Sequence, residues 1–163
     1  MAVERVLREG RAEPTLGRMG WFQRAALLAW ELPQNVLGAV ALVGMLARRE
    51  VKGARFERER WMIELRGEGA VSLGLFVFHS AKDSRFVPVG PENRDHEYGH
   101  SIQSRWLGPA YLLVVGVPSV ARVAYAIGHR AVTGRRWAHY YDGWPEDSAD
   151  RLGRADRSAR PQP

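Results

Sequence analysis

The 163-residue chain is 45% hydrophobic and 26% charged, carries a formal net charge of +6 and contains no cysteine. Such a length and balance suit one folded domain with a modest core. Without thiols there are no disulfides, thiolate metal sites or cysteine nucleophile, so any metal falls to histidine and carboxylate. The lack of cysteine is compatible with a cytoplasmic protein. The positive charge suits nucleic acid or an anionic membrane face. The arginines are scattered, however, and no zinc finger or aromatic-interleaved module is visible, so nucleic acid is not an expected partner.

Residues 1–20 are charged and lack an apolar run beside the initiator Met, which predicts a flexible arm rather than a cleavable signal peptide. From Trp21 to Leu46 the chain turns apolar, interrupted by Glu31, Pro33, Gln34 and Asn35 and flanked by Arg18, Arg24, Arg48 and Arg49. The ELPQN stretch predicts a break between two helices. The pair then reads either as a core pair or as a hairpin dipping into a bilayer. Residues 48–60 read as a solvated linker or amphipathic stretch. Trp61–Leu65 and Val71–Phe78, separated by Gly67 and Gly69, predict strand, turn and strand. His79 ends the second strand and reads as structural.

Loop residues 80–94 lead into a helix that begins near Glu92 to Arg94 and ends near Gly108-Pro109. Residues 107–128 are the most hydrophobic stretch, divided by Pro109, Pro118 and Arg122. They read as a buried helix with a proline break, or as a re-entrant or interfacial segment. The mean hydropathy of −0.32 favours a soluble or peripheral protein. Trp137 to Trp144 is aromatic and irregular, and residues 145–153 predict a short helix with proline at its first turn. Residues 154–163 predict a disordered tail.

The helix after the loop carries His96-Glu97-Tyr98-Gly99-His100, an HExxH motif. His96 and His100, four apart, share one helix face, where two neutral imidazoles can hold one Zn²⁺ and leave room for a third ligand and a water. Glu97 would lean over that water as general base. Gly99, costly inside a helix, implies that another backbone packs closely there. The third ligand is expected at Glu146. Glu146 and Asp150 share a face at i, i+4, so one can bind metal while the other hydrogen-bonds the far nitrogen of a ligand histidine. Small Ala149 would let their helix approach.

HEYGH followed by Glu146-x-x-Ala149-Asp150 resembles the HExxH…ExxAD pattern of gluzincin metallopeptidases, above all the membrane-associated heat-shock and CAAX-type peptidases. The resemblance implies Glu146 as third zinc ligand and accommodates apolar segments between the two motifs. Residues 61–153 also resemble a group of small bacterial HEYGH-motif proteins, through SLGxFxF, HEYGHSxQSxxLGPxYL and YYxxxPExxAD. That second likeness implies nothing about substrate. Glu146 lies 46 positions after His100, a longer gap than in compact thermolysin-like sites.

The expectation is an α+β, mainly helical zincin-like domain over residues 21–153, with a small antiparallel hairpin beside the metal helix. Its function would be hydrolysis of peptide bonds in a peptide or protein substrate by a zinc-activated water. The alternatives are a catalytically silent zinc-binding scaffold and a membrane-surface interaction protein. The expected location is the cytoplasm, with peripheral membrane contact as a variant. For the group that stabilises the oxyanion, Tyr111, Tyr140, Tyr141 and His139 stand equal.

Overall fold

A computed structural model describes residues 20–157. The predicted arm lies outside the described residues except for Gly20, as do residues 158–163 of the predicted tail. The described chain is α+β, with helices packed around a four-stranded mixed sheet of order β1-β2-β4-β3.

Helices α1 (Trp21–Trp30) and α2 (Leu32–Ala47) meet at an 83° bend at Glu31. Proline at the start of α2 cannot donate a backbone bond to the preceding helix, so the break falls where ELPQN predicted it. Strands β1 (Val51–Glu57) and β2 (Arg60–Leu65) form an antiparallel hairpin. Its two-residue turn, Arg58-Glu59, has both φ values positive (48° and 60°), which matches the right-handed strand twist. β1 corrects the linker reading of residues 48–60. Nearly every side chain in it is exposed, so the strand exists through pairing with β2 and leaves little apolar alternation to read.

The second expected strand is two. Gly74, at φ 60°, turns the chain between β3 (Val71–Leu73) and β4 (Phe76–His79). β4 pairs with β3 antiparallel and with β2 parallel. The expected antiparallel hairpin is therefore a mixed sheet, with β3 as one edge strand. The sheet's inner face, Ile63, Leu65 and Phe78, packs against Ala41, Leu42 and Met45 of α2.

Helix α3 (Asn93–Leu107) carries the HExxH motif and stops at Gly108, at φ 52°, close to the predicted boundaries. A π turn (Leu112–Gly116) runs into α4 (Val117–Thr133). A 3₁₀ turn (Ala138–Tyr141) and α5 (Glu146–Gly153) follow. A second small core joins Ala126 of α4 to Tyr140 and Tyr141. The reading of residues 107–128 as a buried helix is corrected: only 11% of the apolar window in Leu112–Thr133 is buried.

Candidate metal centre

The site forms where α3 crosses α5, and small residues decide how closely. A Cβ on Gly99 would lie 1.9 Å from the carbonyl oxygen of Ala149, and one on Gly153 would lie 1.8 Å from that of Asp95. The two helices touch backbone to backbone, the close approach that Gly99 and Ala149 imply in the sequence. Glu146, in the first turn of α5, is thereby brought onto the His96/His100 face of α3.

Three donor atoms converge there, all within 4.8 Å of one another. Nε2 of His96 lies 3.0 Å and Nε2 of His100 lies 3.1 Å from the same carboxylate oxygen, Oε2 of Glu146. All three residues are buried. Each far nitrogen is held: Nδ1 of His96 lies 2.7 Å from Asp150 Oδ1, and Nδ1 of His100 lies 2.7 Å from Gln103 Oε1. The second bond fixes a tautomer. Gln103 donates its amide to the Pro145 carbonyl, so its oxygen faces His100 and Nδ1 of that ring must carry the proton. In the neutral ring Nε2 then presents a lone pair to the Glu146 oxygen. The same holds for His96 once its Nδ1–H is given to Asp150. Two lone pairs and an anionic oxygen facing one another need a cation among them, either protons on the rings or a metal ion. This N,N,O donor set is one that a divalent ion accepts.

The electrostatics follow that logic. Burial alone would lower the His96 pKa, but hydrogen bonds that its ring donates to the Asp150 and Glu146 carboxylates outweigh it and raise it. Burial alone would raise Glu146, but its bonds to His100 and His96 hold its carboxyl well below the ordinary range. Asp150 is likewise lowered against the effect of burial, by His96 and by Arg157.

Glu97 projects between two cavities, of about 480 and 390 Å³, that both reach the cluster. Burial pushes its carboxyl up to about 7. No family model, curated protein or solved structure matches the chain. What the site can do is therefore read from its own geometry.

Of the residues singled out in the sequence, His96, Glu97, His100, Glu146 and Asp150 come together. His79 does not: it sits on β4 opposite Glu64. The four oxyanion candidates separate. The Tyr111 hydroxyl donates to the Ser72 carbonyl, Tyr141 lies under the Arg157 guanidinium, and His139 is exposed against Asp142. Tyr140 lines both cavities.

Three residues of the site were not singled out. Gln103 has a partial signal, standing one turn after His100 on the same helix. Ser119 donates to the second oxygen of Glu146, and Arg157 grips Asp150. Both are placed by tertiary contacts that leave no spacing to read. Arg157 belongs to the stretch expected as tail.

Proposed function

We propose that the chain is a zinc-dependent peptidase of gluzincin type, with His96, His100 and Glu146 as ligands and Glu97 as general base. The observation that carries this reading is the convergence of both Nε2 atoms on one Glu146 oxygen while both Nδ1 atoms are held. Zn²⁺ bound there would lower the pKa of a water and polarise a carbonyl. Asp150 and Gln103 keep the imidazoles in the ligating tautomer and orientation. Glu97, adjacent to the first ligand and raised by burial, is suited to take a proton at neutral pH and return it to the leaving amine. Tyr140 is the group left to donate to a developing oxyanion. β3, an edge strand of the sheet, lines the larger cavity through Val71, Ser72 and Leu73, where an extended peptide can lie beside it.

The test is metal content by mass spectrometry, followed by turnover of an unfolded protein substrate. Wild type is expected to hold one zinc per chain, with His100→Ala and Glu146→Ala holding none. Glu97→Gln is expected to retain zinc and lose roughly 10²–10⁴-fold in turnover. Zinc retained by a wild type with no turnover would favour the silent scaffold. No zinc after incubation with the ion would end the metal reading.

A further inference from the structure

Helices α1, α2 and α4 carry most of their large apolar side chains on the outside. At the bend between α1 and α2, Glu31 is 1% and Gln34 0% exposed, whereas Val40 and Val43 of α2 are 66% and 68% exposed. Among the described residues of α1 none is buried, and in α2 only Gln34 and Gly38 are. One stripe of α2 (Ala41, Leu42, Met45) leans on the sheet, and the rest of its apolar surface points out. In α4 only Ala126 is fully buried, and polar groups take the inner side beside it: Ser119 donates to Glu146, and Arg122 donates to the carbonyls of His139, Tyr140 and Asp142. The outward groups on and beside it are apolar, with Leu113 73% and Val120 69% exposed.

Scattered surface valines need no explanation, but contiguous apolar faces on two helical segments do. Both segments meet the length and composition of membrane-crossing helices, the α1–α2 pair taken together and Leu112–Thr133 alone. Neither is buried as a core helix would be.

The borders of these faces are basic and aromatic. Arg24, Arg48 and Arg49 are exposed at the two ends of the α1–α2 pair, and Arg135 is exposed just past α4. Trp21, Trp106 and Trp144 are exposed as well. Amphipathic rings and cations at the edge of an apolar face fit the headgroup layer of a membrane with anionic lipid. A second copy of this chain, with formal charge +6, would bring like charges to the same borders.

We infer that the outward faces of α1, α2 and α4 dock on a lipid bilayer with an anionic surface. Leu37 of α2 and Val117 and Val120 of α4 line the cavity that reaches His96, so the site opens between the docked faces. The docking rests on the apolar faces and their charged borders and needs no metal.

The test is co-flotation of the full chain, diluted from mild detergent, with phosphatidylglycerol/phosphatidylcholine vesicles, with and without a metal chelator. We expect the wild type to float with these vesicles in both conditions, with partitioning reduced but not abolished in high salt. The Val40→Asp/Val43→Asp and Val120→Asp variants, all at exposed positions, should keep the native circular dichroism spectrum and lose at least tenfold in bound fraction. Arg48→Gln/Arg49→Gln should lose about tenfold on anionic vesicles alone. Failure to float, flotation unchanged in the aspartate variants, or a soluble oligomer that ignores vesicles would overturn the docking. Equal binding to pure phosphatidylcholine would overturn its anionic component. Because these readouts are independent of zinc and turnover, their failure is distinguishable from failure of the peptidase reading.

Discussion

The crossing of α3 and α5 and the bend between α1 and α2 both bury charge, and they do so for different ends. At the crossing the buried groups point at one another's lone pairs, so the set is incomplete without a cation. At the bend every charge has its counterpart inside the protein. Arg60 makes two bonds to the Glu31 carboxylate (2.8 and 3.0 Å) and a third to the Ser101 carbonyl, and Ser104 donates to the same carboxylate. Trp30, Gln34 and Asn35 add bonds to the carbonyls of Arg105 and Gly108 and to the backbone N–H of Leu75. The first cluster has the donor set of a cation site, to be met by protons on the rings or by a metal ion. The second is a clamp that fastens α1 and α2 to the C-terminal half of the helix carrying the histidines. Buried charge alone therefore does not identify a site; an unmet demand for charge does.

That contrast can be broken by mutation. The largest effect is expected at the clamp: Glu31→Gln leaves Arg60 buried without its counter-charge and should cost about 3–5 kcal/mol, read as a fall in denaturant midpoint. A loss below about 1 kcal/mol would mean that water reaches the pair.

Next come the glycines, which oppose one another in sign. Gly153→Ala places a methyl group into the Asp95 carbonyl and should cost about 1–3 kcal/mol, with zinc affinity falling as Glu146 moves away from the histidines. Gly44→Ala, on the open side of α2 with nothing within 4 Å, should stabilise by up to about 1 kcal/mol. Equal effects at the two positions would mean that α3 and α5 are not in backbone contact.

The smallest effect sharpens the site. Asp150→Asn keeps the shape but weakens the hold on His96, and should lower zinc affinity by roughly 10–100-fold without abolishing it, as followed by chelator competition. Unchanged affinity would show that Asp150 serves only Arg157.

Much of this molecule is written locally. The i, i+4 histidines, the boundary at Gly108, the break at ELPQN and the pairing of Glu146 with Asp150 depend on helix period and on glycine and proline chemistry, which short stretches carry in full. Gly99 and Ala149 even announced the close contact they make. Strand β1 left almost no trace, because its residues are held by ladder bonds to β2 and not by burial. The parallel pairing of β2 with β4 arises from the turn at Gly74, which sends one hydrophobic run back along itself. Ser119 and Arg157 reach the site across 27 and 7 positions respectively, through contacts without periodicity.

The direction in which the apolar helices face was also beyond the sequence. An apolar run specifies that it leaves water but not what it enters. Only the tertiary structure decided that Glu31, Gln34, Ser119 and Arg122 turn inward, because their partners lie on α3, β2, α5 and the 3₁₀ turn. With the inner positions taken by those polar bonds, the valines were left on the outside.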